Sequence, residues 1–145
     1  MSTRLNMAAV QPAAFKAMYE LVKYLDTTQL SPIHKELIKI RASQLNGCAY
    51  CINMHTRDAK KLGETEQRIY LLNAWRETEL YTPEERALLA LTEETTLIAN
   101  GGLSDATYNK SVELLGETYT AQAIMAVVAI NAWNRISIST HKALD

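Results

Sequence analysis

The sequence predicts an all-α protein, a single-domain bundle of about six to seven helices. Nearly every stretch with regularly spaced apolar residues shows the 3.6-residue repeat of an amphipathic helix, and strand signals are scarce. The chain has 145 residues, of which 48% are hydrophobic, which is enough for one core in one domain over residues 1–145. Neither a linker-like composition nor an internal repeat divides it.

Proline and glycine delimit the first three predicted helices. Pro12 fits the first turn of a helix that ends near residues 26–28. Ser31-Pro32 supplies an N-cap followed by proline at the first helical position, and this second helix ends at Asn46-Gly47. Residues 48–62 form the third helix, because a glycine that can adopt the left-handed cap conformation follows them.

Hydroxyl N-caps open the remaining helices. The best marked is the fifth, where threonine, proline and two glutamates form a capping box. The sixth is predicted to turn Tyr108 inward. The four predictions are a helix from Thr65 that fades before Tyr81, one from Thr82 to Asn100-Gly101-Gly102, one from Ser104 to Leu115-Gly116, and one from Thr118 or Thr120 toward Ser139.

Charge and hydropathy exclude several classes of partner. A formal net charge of −1 provides no electrostatic basis for binding nucleic acid or anionic lipid. The longest apolar run, Ala121 to Trp133, is interrupted by polar residues and is too short to span a bilayer, so we expect no membrane association. Residues 1–10 lack the apolar core of a signal peptide, which predicts a cytoplasmic protein.

Both cysteines of the chain lie in one short motif. Cys48 and Cys51 are three residues apart, and His55 follows four residues later. In a cytoplasmic protein such a pair is typical of a catalytic or metal-binding site. On a helix, all three side chains would share one face, with both sulfurs in the first turn, where the helix dipole stabilises a thiolate.

This arrangement predicts thiol redox chemistry. A free thiol has a pKa of about 8.5, so it needs a base at neutral pH, and His55 lies one turn after Cys51. Glu36 is the candidate carboxylate to orient the histidine, provided that the turn folds the two helices together. We assign Cys51 as the peroxide-attacking thiol and Cys48 as its disulfide-forming partner, although the helix dipole favours the reverse order.

Alternative interpretations remain open from the residues alone. Cys48, Cys51, His55 and Glu36 could bind zinc, although adjacent ligands on one helix fit tetrahedral geometry less easily. The cysteines could also be inert core residues. A third alternative is a redox-sensing or interaction protein whose disulfide switches its surface with little turnover. The other histidines, His34 and His141, are predicted to lie on the surface.

The spacing of the motif resembles a known family. Glu36, eleven residues, Cys48-x-x-Cys51, three residues and His55 resemble the active-site pattern of alkyl hydroperoxidase D-like proteins, within the carboxymuconolactone decarboxylase superfamily. The resemblance extends to further segments and so covers most of the chain. These segments are residues 36–44, 54–59, 75–76 and 131–135.

The resemblance implies a fold, an activity and partners. It implies an all-helical subunit, a trimeric or hexameric homo-oligomer, and a peroxidase without cofactor or metal. Glu36, through water, would help His55 deprotonate Cys51, with Cys48 as proton donor and disulfide partner. The substrate would be a small-molecule hydroperoxide, and the reductant a dithiol or lipoyl-type protein. The decarboxylase branch lacks the cysteine pair, so the pair favours redox chemistry.

Overall fold

The computed structural model describes residues 4–144, and its regular secondary structure in that range is entirely helical. This confirms the all-α prediction. The elements are α1 (Met7–Val10), α2 (Pro12–Asp26), α3 (Pro32–Asn46), α4 (Ala49–Lys61), α5 (Glu66–Leu71), a 3-10 helix (Leu72–Glu77), α6 (Pro83–Thr96), a second 3-10 helix (Ile98–Asn100), α7 (Asp105–Leu115) and α8 (Glu117–Thr140).

Four of the predicted N-caps form as expected, but the predicted start of the last helix at Thr118 or Thr120 is wrong, because α8 begins at Glu117 with Gly116 as its N-cap and no side-chain cap. The hydroxyls of Ser31, Thr65, Thr82 and Ser104 each accept a hydrogen bond from the backbone N–H of the third helical residue. At α6 the Glu85 carboxylate also accepts from the Thr82 backbone N–H, which completes the capping box. Each cap of this kind stabilises a helix by about 1 kcal/mol, so local sequence sets these helix starts.

Three further details of the helix prediction are wrong. The fifth predicted helix ends at Thr96, and a 3-10 turn, Ile98–Asn100, follows it. The sequence did not reveal this change, because apolar residues three apart fit both helix types. The fourth is a six-residue α-helix followed by a 3-10 segment in which Trp75 is buried and bonded to Glu93. Tyr108 is 44% exposed and does not face inward.

Helix α1 was not predicted, since it has only four residues. It is capped by the side chain of Asn6, and one residue, Gln11, separates it from α2.

Helix α3 lies at the centre of the molecule and is buried on two faces. Ile38 and Ala42 pack in a cluster with α6 and α8 that also contains both cysteines. Leu37 and Ile40 pack on the other side with side chains from α5, the first 3-10 helix and α6. Polar residues of α3 that lie between these faces are therefore also shielded from water, which matters for Glu36.

Buried hydrogen bonds fix α3 against α8. The Asn134 side chain is fully buried; its Nδ2 donates to Ser43 Oγ at 2.9 Å, and its Oδ1 accepts from Asn46 Nδ2 at 2.9 Å. Asn46 Nδ2 also donates to Asn131 Oδ1 at 3.0 Å. The last turn of α3, which leads into the cysteine motif, is thereby held in place. None of the described helices is long and apolar enough to cross a membrane.

Candidate active site

A tight turn at Gly47 joins α3 to α4. Gly47 has φ +70°, a left-handed conformation that glycine adopts without steric cost. Its N–H donates to Gln44 O at 3.3 Å, and the N–H of Cys48 donates to Ser43 O at 3.0 Å. These two bonds form a Schellman motif, which ends α3 and allows α4 to begin at once. The turn thus packs the two helices together.

The two cysteines form a disulfide bond at the start of α4. Cys48 is the N-cap residue, one position before the helix that we predicted to include it, and its Sγ accepts a hydrogen bond from the Cys51 N–H at 3.4 Å. Cys48 and Cys51 are 1% and 2% exposed. The motif is therefore a buried disulfide held at a helix N-terminus.

Glu36 and His55 form a direct, buried hydrogen bond. His55 Nδ1 lies 2.9 Å from Glu36 Oε2, and the other carboxylate oxygen accepts from Lys39 Nζ at 2.8 Å. Burial raises the pKa of Glu36, but the hydrogen bond with His55 and the charge of Lys39 outweigh it, so the pKa lies below its ordinary value. Glu36 is thus held as a carboxylate.

This contact defines the role of each imidazole nitrogen. A carboxylate can only accept, so Nδ1–H donates to Glu36, and Nε2 is the nitrogen that remains to take a proton. The sequence resemblance implied that Glu36 acts through water, and in the structure its carboxylate contacts His55 directly at 2.9 Å. The pair resembles the carboxylate-oriented base of other nucleophilic sites.

A cavity of about 260 Å³ lies against the disulfide. Cys51 and His55 line it, whereas Cys48 is not among its lining residues. This favours Cys51 as the sulfur that meets a substrate. Cys48 Sγ accepts a hydrogen bond from the Cys51 N–H, and this bond favours negative charge on Cys48 when the pair is reduced. The two cysteines therefore have distinct environments.

Aromatic residues on this cavity were missed by sequence reasoning. Phe15 and Tyr19 come from α2 and Trp133 from α8, and the three rings contact one another edge to face at 5.1–5.5 Å between centroids. Because α2 and α8 are far apart in the sequence, no local pattern could have grouped these rings.

The remaining histidines differ in part from the prediction. His34 is half-buried, and its Nδ1 lies 2.6 Å from the Tyr119 hydroxyl, so the surface prediction is wrong for this residue. Burial lowers the pKa of His34. His141 ends α8 in a left-handed conformation and is partly exposed.

Three ligand-type side chains approach one another beside the disulfide. Ligand atoms of Glu36, His55 and Asp58 lie within 4.8 Å of one another. However, Lys39 pairs with Glu36 at 2.8 Å and Lys61 pairs with Asp58 at 2.7 Å, and their charges oppose a cation there. The zinc site considered from the sequence needs two thiolates, which the disulfide form lacks.

Comparison with known proteins gives the family. The model of the carboxymuconolactone decarboxylase family matches residues 12–94, a segment that includes Glu36, both cysteines and His55. The chain belongs to the carboxymuconolactone decarboxylase family. A relative from Bacillus subtilis (strain 168), the uncharacterized protein YdfG, is 45% identical over 139 residues, which are 96% of this chain and 95% of that protein.

Solved structures support the alkyl hydroperoxidase D-like fold. A protein of unknown function from Agrobacterium tumefaciens, named for the antioxidant defence protein AhpD, is 37% identical with a TM-score of 0.96, and 99% of each chain is covered. A debrominase is 17% identical with a TM-score of 0.84 over 94% of this chain and 74% of its own. A peroxidase-related protein from Silicibacter sp. TM1040 is 24% identical with a TM-score of 0.76 over 92% and 69%. The last two show the fold alone.

Proposed function

We propose that this protein is a thiol-dependent peroxidase that reduces organic hydroperoxides through a Cys48–Cys51 disulfide. The observation that carries the proposal is the cavity lined by Cys51 and His55. Cys51 forms a disulfide with Cys48, and His55 forms a hydrogen bond with Glu36. A nucleophile, an oriented base and a second thiol are thereby grouped at one substrate-sized space. The AhpD-related name of the Agrobacterium protein is consistent with this proposal.

In the first half-reaction, His55 Nε2 takes the Cys51 thiol proton. The thiolate attacks the terminal peroxide oxygen; an S–O bond forms, the O–O bond breaks, and the leaving alkoxide takes a proton and departs as an alcohol. Cys51 is then a sulfenic acid. The Cys48 thiol displaces its hydroxyl as water, forming the disulfide. The peroxide gains two electrons, which the two thiols supply.

In the second half-reaction, an external dithiol reduces the disulfide. One thiolate of the reductant attacks a sulfur of the pair, and its second thiol resolves the mixed disulfide, which returns both cysteines to thiols. A dithiol or lipoyl-type protein in a reducing compartment, the cytoplasm, fits this requirement. The reductant loses the two electrons that the peroxide gained, so the cycle balances.

Cysteine variants test this order of steps. Cys51→Ser should abolish peroxide consumption with dihydrolipoamide as reductant, because the attacking sulfur is lost. Cys48→Ser should accumulate one sulfenic acid per chain, measured by dimedone labelling and intact mass. The opposite pattern would assign the attack to Cys48. Disulfide formation by peroxide without turnover under any dithiol would instead support the redox-sensing alternative.

We also propose that the protein is a homo-oligomer, a trimer or hexamer. Large apolar side chains remain exposed on two long helices, with Tyr19 at 51% and Tyr24 at 44% on α2, and Met125 at 36% and Val128 at 46% on α8. Surfaces of this kind are often buried by self-association. Light scattering on the purified protein should give a mass of three or six subunits, and a monomer would contradict the proposal.

A further inference from the structure

The cavity beside Cys51 is larger than hydrogen peroxide requires. Its volume of about 260 Å³ corresponds to on the order of ten non-hydrogen atoms, at the ~30 Å³ that one water occupies in the liquid. Most of the wall is apolar: the three rings of α2 and α8 are joined by aliphatic side chains, including Val22, Ile130 and Ile136. A substrate with a ring or a short chain would fill this space.

The polar part of the wall is mainly cationic. Lys35, Lys39 and Lys142 line the cavity, against one carboxylate, Asp26. Lys39 is already engaged with Glu36. Within residues 4–144, neither Lys35 nor Lys142 forms an ion pair with a carboxylate. Two ammonium groups beside an apolar cavity are therefore available to an anionic ligand.

The fold places Lys142 at this cavity by a defined turn. His141 adopts the left-handed conformation at the end of α8, and the N–H of Lys142 donates to Ser137 O at 3.0 Å, which closes a Schellman motif. The ammonium group lies 4.2 Å from the ring centroid of Tyr50, which also lines the cavity. Lys35 is half-buried in the first turn of α3. Lys142 is exposed to solvent, but its contact with Tyr50 holds the ammonium group at the edge of the cavity.

We infer that the site is built for hydroperoxides that combine an apolar body with a carboxylate, which Lys35 and Lys142 hold. This inference rests on the proposed peroxidase function and names its substrate class. The peroxide group meets Cys51 and His55, and the apolar body packs on Phe15, Tyr19 and Trp133. The carboxylate gains charge-assisted hydrogen bonds that a neutral hydroperoxide cannot make.

The matched substrates for the test are 4-carboxycumene hydroperoxide and its methyl ester. Wild type should use the acid with a kcat/KM about tenfold higher than the ester at low salt, the expected scale for one ligand charge in a partly buried site. The difference should lie mainly in KM, because the carboxylate is remote from the reacting oxygens, and it should shrink in 0.5 M NaCl, at which the Debye length falls to about 4 Å.

Charge variants assign the preference to named residues. The double variant Lys35→Gln/Lys142→Gln should bring the acid-to-ester ratio near one, whereas Asp26→Asn should raise it by removing the opposing charge. The control Lys16→Gln/Lys110→Gln changes two lysines outside the cavity and should keep the wild-type ratio and rate. Equal use of acid and ester by wild type, or an unchanged ratio in the cavity double variant, would overturn the inference.

A binding experiment separates this inference from the proposed activity. Calorimetry on the oxidised wild-type protein compares 4-isopropylbenzoate with the neutral 4-isopropylbenzamide. Tighter binding of the carboxylate, lost in Lys35→Gln/Lys142→Gln, supports the ligand class even if no hydroperoxide is turned over; in that case the proposed function alone fails. Equal affinity of the two compounds would overturn the inference while leaving peroxidase activity with neutral substrates intact.

Discussion

The environment of each residue in the candidate site is set by its immediate neighbours. Glu36 orients the His55 ring by accepting its Nδ1–H at 2.9 Å, which suits His55 to the proposed role of base, and Glu36 stays ionised because His55 and Lys39 offset the effect of its burial. Cys48 is set apart from Cys51 by the backbone N–H that bonds its sulfur. Changing one member of each pair should therefore alter the behaviour of the other.

The first residue-scale prediction concerns His55. In His55→Asn, peroxide-driven loss of thiols at pH 7 should slow by about 10²–10⁴-fold, the usual contribution of a general base. The rate should recover above about pH 8.5, where a free thiol ionises without help. Stopped-flow measurements across pH on the reduced protein test this. A profile identical in shape to that of wild type would remove His55 from the mechanism.

The second residue-scale prediction concerns Glu36 and acid stability. Its folded-state pKa is lowered from 4.5, so the ionised carboxylate stabilises the fold above that pH, and this contribution is lost as the pH falls through the folded-state pKa. The free energy of unfolding of wild type should therefore fall more steeply below about pH 4.5 than that of Glu36→Gln. Urea unfolding at several pH values measures both slopes, and equal slopes would contradict the assignment.

At the scale of elements, the α3–α4 turn makes the site possible. The left-handed conformation at position 47 ends α3 and allows the next residue, Cys48, to cap α4. As a result, α4 packs beside α3 after a very short turn. The packing then joins Glu36 of α3 to His55 of α4, which are 19 residues apart in sequence. The turn therefore sets the geometry of the proposed catalytic pair as well as connecting the two helices.

The element-scale prediction is that Gly47→Ala lowers stability and slows disulfide formation. A Cβ at this position would meet nothing within 4 Å, so the cost is the left-handed backbone alone, about 1–2 kcal/mol. Gly101→Ala is the matched control, since Gly101 also has positive φ and open space but lies outside the site. We expect both variants to lose stability and only Gly47→Ala to slow peroxide-driven oxidation. Equal rates of peroxide-driven oxidation in the two variants would show that the Gly47 turn does not position the site.

At the scale of the whole molecule, α3 and α8 are fixed by apolar packing and by the buried asparagines. Asn134 bonds to Ser43 and Asn46 just before the Gly47 turn. The same two helices carry Lys35 and Trp133, which line the cavity. The crossing of these helices thus positions the cavity wall relative to the disulfide.

The molecule-scale prediction is that Asn134→Ala destabilises the protein by about 1–3 kcal/mol, because it removes the partner of the buried Ser43 hydroxyl and one of the two hydrogen bonds that Asn46 Nδ2 donates. Asn109→Ala, an exposed asparagine on α7, is the control and should change stability by less than about 0.5 kcal/mol. Denaturant unfolding of both variants measures the difference. A loss of the same size in the two would show that the buried network contributes little.

Much of this structure was accessible from sequence because its signals are local. Prolines, hydroxyl caps and glycines fixed most helix ends, and the spacing around Cys48 located Cys51, His55 and Glu36. Features that depend on distant contacts were missed. The ring cluster of Phe15, Tyr19 and Trp133 joins α2 to α8, and the 3-10 segment around Trp75 is stabilised by its bond to Glu93.

The most direct test of the central claim is an anaerobic thiol titration of the reduced protein, before and after one equivalent of cumene hydroperoxide. Intact mass and metal content are read on the same sample. The account predicts the loss of both thiols of the chain, a mass decrease of about 2 Da for two hydrogen atoms, and one equivalent of the alcohol. Two unreactive thiols, or thiols that hold one zinc ion, would contradict it.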